Sequence, residues 1–344
     1  MSYTPENLAL ALSWRCNISC DHCLVEANSR QTETLDSELI DRLIHEAKLL
    51  GFLGVAIYGG EPFLHIKDLL PRTLERILAE GLFVSIPTNG FWGRREMLTK
   101  QILCRIETIA ATYEATVGIG LSVDQFHQKQ IPIGCIANII RLHKLGKFPH
   151  IHLDIQTFAS SECHQLVDQV FDDRKKKGIQ LFESNDGHDI YPALPEELIE
   201  FIPDNYEEIT QKLGFPSGYN RRQILQALAI KLKFSEPQDV IARIFDAGKG
   251  PKEYLVFPNT QQLMRLICER RIINAGRARK DSQLELSLGY ENEETNLVIT
   301  PNGQAYDYPA LVTAEPGVPI DGKSLLQVVL EVGQKRFERK FSSA

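Results

Sequence analysis

The sequence lacks the features of a membrane or exported protein. Its 344 residues contain no uninterrupted apolar run of about 18, the length that predicts a membrane span. The amino terminus also lacks the basic segment and the small-residue cleavage site of a signal peptide. We therefore expect a cytoplasmic protein with no membrane partner.

An excess of positive charge is missing as well. The chain has 38 basic and 45 acidic side chains, and its net charge at pH 7 is -7. Such a chain has no general attraction to phosphate backbones, so nucleic acid is not expected as a partner. The 43% of hydrophobic residues is ordinary for a folded protein with a sizeable core.

Short apolar runs alternate with amphipathic stretches through the first two thirds of the chain, which predicts β/α units around a parallel sheet. The predicted strands are 8–13, 53–58, 82–87, 117–122 and 150–157, with a sixth near 179–183, and the predicted helices are 36–50, 66–80, 94–109, 131–145 and 162–177. About six units predict a barrel or a doubly wound sheet. Both folds place their chemistry at the carboxyl ends of the strands.

The composition changes after residue 185. Pro192, Pro195, Pro203 and Pro216 interrupt short helical stretches in an acidic region at 186–250, which we interpret as an insertion or lid, and an apolar helix is predicted around 263–268. Near the end, the turn signal Pro301-Asn302-Gly303 separates two β-like runs. We therefore divide the chain into a core at 1–185, an insertion and barrel-closing segment at 186–280, and an extension at 281–344.

Three cysteines, Cys16, Cys20 and Cys23, follow the first predicted strand in the segment SWRCNISCDHC. Because the chain has only seven cysteines, a chance C-x3-C-x2-C triplet is expected about 0.003 times. Three thiolates can hold one face of a soft metal centre. A [4Fe–4S] cluster normally takes four, so three would leave one iron open to a substrate group.

With this triplet, residues 8–185 resemble the radical S-adenosylmethionine (SAM) superfamily, in which the open iron is chelated by the amino and carboxylate groups of SAM. The resemblance implies a partial (β/α)6 TIM-like barrel with a small C-terminal α+β extension. It also implies electron transfer from the cluster to the sulfonium, homolysis of the C5'–S bond, and a 5'-deoxyadenosyl radical that takes a hydrogen atom from substrate. The alternative is a zinc site completed by His22 or a distant residue. We expect His22 to pack near the cluster instead.

Residues after later strands match the superfamily's cosubstrate site. Gly59-Gly60-Glu61-Pro62 resembles its GGEP segment, whose glycines allow close backbone approach and whose glutamate neutralises positive charge. The alternative is a tight turn alone. At the other strand ends and near the end of the barrel, the resemblance implies SAM-binding roles for Thr88, Asn89, Ser122, Asp124, Gln156 and, in a GRA segment, Arg277. An N-cap or Asx turn is the alternative for the strand-end residues.

The other cysteines and His127 are expected to have structural roles. Cys104, Cys135 and Cys268 lie among apolar residues and are predicted to pack in the core, whereas Cys163 opens a helix. His127 is predicted to be a satisfied structural histidine, with a substrate-facing position as the alternative. No residue is identified as the donor or acceptor of a hydrogen atom.

Residues from Leu297 onward are similar in pattern to the SPASM and twitch extensions of radical enzymes that modify ribosomal peptides. Residues such as Asp307 and Tyr308 occupy the positions expected for auxiliary-cluster cysteines, and no cysteine follows Cys268. Because each auxiliary cluster needs three or four thiolates, we expect a single [4Fe–4S] cluster with SAM as cosubstrate.

The resemblance implies a ribosomally synthesised peptide as substrate, with epimerisation, carbon–carbon cyclisation and excision of part of a tyrosine as candidate reactions. Since the first strand begins about eight residues from the start, we expect a separate leader-recognition protein, together with an external electron donor such as flavodoxin or ferredoxin. Two alternatives stay open. One is a radical SAM enzyme acting on a small molecule or nucleoside, and the other is a metal-binding scaffold without turnover.

Overall fold

The computed structural model describes residues 3–146, 148–158, 165–166, 169–170, 241–246, 250–256, 263–269, 272–273, 286–287 and 296–342. The chain forms two compact units. The first consists of residues 1–152 and 270–344, and the second of residues 153–269. The strands are β1 (Asn7–Ser13), β2 (Gly54–Gly59), β3 (Phe83–Thr88), β4 (Val117–Ser122), β5 (Ile151–Phe158), β6 (Ile241–Asp246), β7 (Gly250–Val256), β8 (Leu263–Glu269), β9 (Ile272–Ile273), β10 (Leu286–Ser287), β11 (Asn296–Ile299), β12 (Gln304–Tyr306) and β13 (Val318–Pro319).

The helices of the first unit follow its strands in β/α order. They are α1 (Ser37–Leu49), α2 (Leu69–Ala79), α3 (Glu96–Thr112), the short α4 (Gln125–Gln128), α5 (Ile133–Gly146) and the C-terminal α6 (Leu325–Ser342). α1 shows why these segments become helical: the carboxylate of Asp36 accepts from the backbone N–H of Glu38 and of Leu39, and one apolar face is buried. Every helix among the described residues is too short or too polar to cross a membrane.

The sheet of the first unit has the strand order β13-β12-β11-β1-β2-β3-β4. β1 pairs with β2, β2 with β3 and β3 with β4, all parallel. Because parallel strands end at one edge of a sheet, the four segments that follow β1 to β4 emerge side by side. This parallel α/β core was predicted from the alternating pattern and is confirmed.

The C-terminal segment joins the same sheet. β11 pairs in parallel with β1, opposite its first four residues, and then turns into the antiparallel β12. Leu297, Val298 and Ile299 are fully buried, so this strand is part of the core. The hairpin predicted around Pro301-Asn302-Gly303 is confirmed, with Gly303 at a left-handed φ of 71°.

Asp307 follows β12 and is 7% exposed. Its carboxylate pairs with the guanidinium of Arg339 on α6, and Arg339 also pairs with Glu315. An ion pair therefore connects the hairpin to α6.

In the second unit, the strand order is β5-β8-β7-β6. β8 is parallel to β5 and antiparallel to β7, and β7 is antiparallel to β6. The helix predicted around 263–268 was therefore wrong, because these residues form β8. A short apolar run fits a buried strand as well as a helix, and the neighbouring strands decide between them. The sixth strand predicted near 179–183 lies outside the described residues.

Ile299 tests the contribution of β11 to the core. Replacing it by alanine removes most of a fully buried side chain, so we expect the free energy of unfolding to fall by about 2–5 kcal/mol. In Leu330→Ala, which alters a 65% exposed side chain on α6, we expect a change below about 0.5 kcal/mol. Urea unfolding followed by circular dichroism measures both. Equal midpoints for the two variants would contradict the buried position of β11.

Candidate functional site

The candidate site lies where β1, β2, β3 and β4 end. The loop that carries the cysteines follows β1, and the Gly-Gly-Glu-Pro segment follows β2. Thr88 and Asn89 come at the end of β3, and Asp124 comes two residues after β4. The residues predicted from these four strand ends are thus gathered at one edge of the sheet.

The cysteine loop, residues 14–28, is anchored at both ends. The N–H of Cys16 donates to the carbonyl of Asn28 at 3.0 Å, and the N–H of Cys23 donates to the carbonyl of Cys20 at 3.2 Å. Cys16 and Cys20 are buried and Cys23 is partly exposed. Burial, followed by the charge of Glu61, raises the pKa of Cys16 to about 12, and the other two thiols add to the increase. The three sulfur atoms are therefore close enough to interact electrostatically.

Gly59 and Gly60 allow the backbone after β1 to pass directly over the segment after β2. The N–H of Gly60 donates to the carbonyl of Ser13 at 2.7 Å, and the N–H of Glu61 donates to that of Arg15 at 2.9 Å. A Cβ on Gly60 would lie 2.0 Å from the Arg15 carbonyl oxygen. Gly59 has a φ of 122°, which L side chains rarely adopt. The sequence predicted close approach to a ligand, and in the structure the glycines allow close approach of the chain itself.

Glu61 is the buried acid of the site, with 2% of its surface exposed. Its Oε1 accepts from the N–H of Phe63 at 3.1 Å and the hydroxyl of Thr88 at 2.8 Å, and its Oε2 accepts from the N–H of Asn89 at 2.8 Å. Burial raises the pKa of Glu61 to about 7, although these hydrogen bonds oppose the increase. A cation nearby would favour its charged form.

Asn89 links the end of β3 to the cysteine loop. Its side-chain amide donates to Oδ1 of Asn17 at 3.0 Å and lies 3.9 Å from the Cys16 sulfur. Its Oδ1 accepts from the N–H of Phe91, which forms an Asx turn. Asn89 therefore supports the loop at its first cysteine.

The segment after β4 holds the other side of the loop. The amide of Gln130 bonds both backbone groups of Ser19, and the ammonium of Lys129 pairs with Asp21 at 2.8 Å. The ring of His22 stacks on Phe126 with 4.5 Å between centroids. These contacts fix the stretch from Ser19 to His22, around the second cysteine.

Asp124, which is buried, and His127, which is partly exposed, form a pair beside Cys20. Oδ1 of Asp124 caps α4 by accepting from the N–H of Phe126 and of His127, and its Oδ2 lies 2.6 Å from Nδ1 of His127. Burial lowers the pKa of His127, but the charge and hydrogen bond of Asp124 outweigh it, with a further contribution from Cys20, and the pKa is raised well above its ordinary value. Burial likewise raises the pKa of Asp124, but His127 outweighs it and the pKa is lowered.

The cysteine and histidine ligand atoms of the site can be compared with the two metal centres that the sequence suggests, an iron–sulfur cluster and a single zinc ion. Cys20, His22 and His127 place one ligand atom each within 4.8 Å of one another, and among the described residues the three cysteines do not form such a tight group. Sulfur ligands of a single zinc ion would lie about 3.8 Å apart at Zn–S bonds of 2.3 Å. Three thiolates on one loop are a donor set that suits an iron–sulfur cluster, whereas the Cys20-His22-His127 group could hold a single ion.

The other predicted residues differ in their surroundings. Pro62 is buried at the start of a 3-10 helix, Ser122 is partly exposed at the end of β4, and Gln156 lies on β5 in the second unit, opposite Ile267. Arg277 and Cys163 lie outside the described residues. SAM-binding roles for all the predicted residues stay predictions.

Two expectations for single residues can be compared with the structure. Cys104 was predicted to be packed and is exposed on α3, so that prediction was wrong, whereas Cys135 is buried as predicted. The apolar residues around Cys104 belong to neighbouring positions of α3, and the thiol itself points away from the buried face. Asn17 and Gln130 were not identified from the sequence, although their positions beside Cys16 and after His127 were a signal.

Comparison with known proteins agrees with this geometry. A family model described as the Radical SAM superfamily matches residues 12–144. The putative peptide biosynthesis protein YydG of Bacillus subtilis is 26% identical over 158 residues, which are 46% of this chain and 47% of that protein. A probable GTP 3',8-cyclase of Pyrococcus abyssi is 33% identical over 84 residues, which are 24% of this chain and 27% of that protein. The chain thus spans about half, or less, of the length of these curated relatives.

The crystal structure of Streptococcus suis SuiB bound to S-adenosylmethionine has a similar fold. Its TM-score is 0.50 at 16% sequence identity, and the match covers 97% of this chain and 68% of that one. At this identity the likeness concerns the fold alone. The family match includes the three cysteines, the Gly-Gly-Glu-Pro segment and the ends of β3 and β4, so residues 12–144 of this chain are a domain of the radical SAM superfamily.

Proposed function

We propose that this chain binds one [4Fe–4S] cluster through Cys16, Cys20 and Cys23, binds SAM beside it, and modifies a ribosomally synthesised peptide. The observation that carries the proposal is the single cysteine loop held against the ends of β2, β3 and β4. When bound, the cluster and SAM supply one-electron chemistry, namely reductive cleavage of the sulfonium and abstraction of a hydrogen atom. The chain itself must hold the ligands in place.

Burial disfavours the thiolate form of Cys16 until metal compensates its charge. The pKa of Cys16 is raised to about 12 because the site is buried and negatively charged. Iron cations reverse this balance, since a coordinating thiol is deprotonated outright. The neighbouring contacts from Asn89 and Gln130 fix the loop before metal arrives, which reduces the entropy lost when the cluster binds.

Glu61 is the residue that we assign to the ammonium group of SAM. Its Oε2 accepts the N–H of Asn89 and, as a carboxylate oxygen, has a second lone pair for another donor. A bound ammonium would return the pKa of this buried acid toward its ordinary value. Gly59, Gly60 and Pro62 shape the turn that holds Glu61, and Thr88 orients its carboxylate.

The remaining polar residues are assigned by position. Asn89, Ser122 and Asp124 lie at neighbouring strand ends, where ribose hydroxyls and the methionine carboxylate of SAM would be bound. Both carboxylate oxygens of Asp124 already accept hydrogen bonds from α4 and His127. Asp124 therefore holds these two groups in place, in addition to the role toward SAM that its position suggests. Gln156 and Arg277 complete the proposed set.

The peptide substrate is supported by a relative whose match is longer than that of the GTP cyclase. YydG is described as a peptide biosynthesis protein, and its match extends over 158 residues, compared with 84 for the GTP cyclase. We also propose a separate leader-recognition protein and an external electron donor such as flavodoxin or ferredoxin. If activity and peptide affinity were unchanged without the recognition protein, the proposal of such a protein would be contradicted.

A small-molecule or nucleotide substrate is the second candidate, and the GTP cyclase match favours it. That match covers only about a quarter of this chain. A metal-binding protein without turnover is the third, and the Cys20-His22-His127 group favours it. About one zinc per chain and no iron after anaerobic reconstitution would support this third candidate.

The first prediction concerns the cysteines. Alanine at Cys16, Cys20 or Cys23 removes one of three protein ligands, so we expect bound iron to fall and release of 5'-deoxyadenosine from SAM to drop to background. Cys104→Ala is the matched control, because that thiol is exposed on α3. Anaerobic iron analysis and chromatography of the nucleoside give both readouts. Undiminished cleavage in Cys20→Ala would contradict the assignment.

The second prediction concerns Gly60. The Cβ of Gly60→Ala would lie 2.0 Å from a backbone oxygen of the cysteine loop, which must then shift. We expect iron loading to fall severely while far-ultraviolet circular dichroism keeps the α/β signature. Gly134→Ala is the control, because no atom lies within 4 Å of its added Cβ. Equal iron content in the two variants would show that the close approach does not matter.

The third prediction concerns the product. Anaerobic incubation with a co-expressed precursor peptide, reductant and SAM is expected to change the peptide, as read by intact mass and chiral amino-acid analysis. Epimerisation leaves the mass unchanged, cyclisation removes two hydrogens, and excision removes a larger fragment. SAM cleavage that proceeds without any change in the peptide, but consumes a small molecule or nucleotide, would favour the second candidate.

A further inference from the structure

A buried chain of hydrogen bonds lies behind Glu61 and ends at Trp92. Oε1 of Glu61 accepts from the hydroxyl of Thr88 at 2.8 Å, and Oγ1 of Thr88 accepts from the indole N–H of Trp92 at 3.2 Å. All three side chains are buried. A tryptophan that has no place among the predicted SAM-binding residues is thus connected to the acid that we assign to the amino group of SAM.

The segment after β3 brings two donors to the same hydroxyl. Gly90 has a left-handed φ of 73°, and its N–H turns back to donate to Oγ1 of Thr88 at 3.1 Å. A Cβ on Gly90 would lie 2.3 Å from Cδ1 of Ile136, so glycine also leaves room for the packing of α5. The 3-10 helix Phe91–Arg94 follows and carries Trp92. This turn therefore returns both the Gly90 N–H and the indole to the end of β3.

The two donors decide which way the hydroxyl of Thr88 points. A threonine oxygen has two lone pairs and one proton. Because the N–H groups of Gly90 and Trp92 take the lone pairs, the proton is left for Oε1 of Glu61. Backbone and indole N–H groups do not ionise at ordinary pH, so this direction does not depend on the titration of any group.

The direction of this proton determines which oxygen of Glu61 is left for a ligand. Oε1 accepts from the hydroxyl of Thr88 and from the N–H of Phe63, so both of its lone pairs are occupied. Among the described residues, Oε2 accepts from the N–H of Asn89 alone. The remaining lone pair of the carboxylate therefore lies on Oε2.

We propose that Trp92 is a positioning residue for SAM, because its indole N–H fixes the hydroxyl of Thr88 as a donor to Glu61. The amino group of SAM is thereby directed to Oε2 of Glu61. The inference rests on the proposed function, in which Glu61 binds that amino group. In this scheme Trp92 acts through Thr88 and Glu61 and contacts neither SAM nor the cluster.

The hydrogen bonds of this chain strengthen one another. A hydroxyl that accepts two hydrogen bonds is polarised and becomes a better donor, and burial makes this effect larger than in water. Phe63 stacks on the indole with 4.9 Å between ring centroids and 22° between the ring planes, which limits how the indole can tilt. Loss of the indole N–H frees the hydroxyl to rotate and allows Glu61 more than one orientation. SAM binding must then restore the original one, which weakens it.

A purely structural role for Trp92 is the alternative, because a buried indole N–H needs a hydrogen-bond partner in any case. The two roles differ in what they predict for ligands. Loosening of the core would weaken every ligand of the site to a similar extent. Misplacement of Oε2 would weaken only those ligands that carry an amino group.

Anaerobic calorimetry of the reconstituted holoenzyme with two ligands tests the proposal. The first is S-adenosyl-L-homocysteine, which has no sulfonium to cleave, and the second is its deamino analogue, in which hydrogen replaces the amino group. Trp92→Phe keeps an aromatic ring against Phe63 but lacks the N–H. We expect it to weaken binding of the first ligand about 2- to 10-fold, the value of one hydrogen bond, and to leave binding of the second unchanged.

Variants of Thr88 show whether Trp92 acts through the hydroxyl. Thr88→Val removes the hydroxyl and should weaken binding of S-adenosyl-L-homocysteine at least as much as Trp92→Phe does. In the Thr88→Val background, Trp92→Phe should cause no further loss, because the two residues lie on one path. Thr88→Ser keeps the hydroxyl and should bind this ligand more tightly than Thr88→Val.

Thr73→Val is the matched control. It removes a hydroxyl from a residue that is also buried, but this hydroxyl donates to the carbonyl of Leu69 within α2. The affinities for both ligands should be unchanged. An unchanged ratio of the two affinities in Trp92→Phe would overturn the proposal, and so would a full further loss when Trp92→Phe is added to Thr88→Val.

The remaining outcomes separate this inference from the function on which it rests. If Trp92→Phe does not fold or does not load the cluster, Thr88→Val decides, and a ratio of affinities equal to that of the wild-type protein would overturn the proposal. A wild-type protein that binds no [4Fe–4S] cluster and neither ligand would overturn the proposed function itself. A wild-type protein that binds S-adenosyl-L-homocysteine with a preference indifferent to Trp92 would leave that function standing and remove only the present inference.

Discussion

The site depends on how closely the backbone after β1 passes over the turn after β2. Backbone groups of Ser13 and Arg15 bond directly to Gly60 and Glu61, at distances that leave no room for a Cβ. This contact puts the cysteine loop and the buried acid side by side. The other contacts of the loop, from Asn89 and Gln130, hold a segment whose first residues are already fixed by this contact.

This arrangement buries ionisable groups, which is energetically unfavourable. Glu61 and Asp124 are each nearly excluded from water, and each is balanced by hydrogen bonds from backbone N–H groups. Such groups are stable only when their partners are complete. The same carboxylates make the site favourable for cations, which is the charge that iron and a sulfonium cosubstrate would bring.

The extension after β11 contributes to the sheet that positions the site. β11 lies along β1 on the side opposite β2, so β1 is an interior strand. Leu297, Val298 and Ile299 are buried against it, and the Asp307–Arg339 pair connects the following hairpin to α6. A strand bordered on both sides is a rigid base for the loop that begins at its end.

The sequence predicted β1 to β4 and the helices α1, α2, α3 and α5 to within a few residues, because amphipathic periodicity and capping residues are local signals. It failed at 263–269, where a short apolar run forms a strand beside β5 and β7. It also failed at Cys104, whose apolar neighbours gave no information on which way the thiol faces. Pairing between distant segments decides the first case, and the rotation of a packed helix decides the second.

The cysteine spacing and the Gly-Gly-Glu-Pro segment were sufficient to identify the superfamily, since each is a short motif whose chemistry requires those residues at that spacing. The sequence alone did not bring Asn17 to Asn89, Ser19 to Gln130, or Cys20 to His127. These partners are separated by about 70 to 110 positions along the chain. Only the parallel order of β1 to β4 makes them neighbours, because it delivers four separate strand ends to one edge of the sheet.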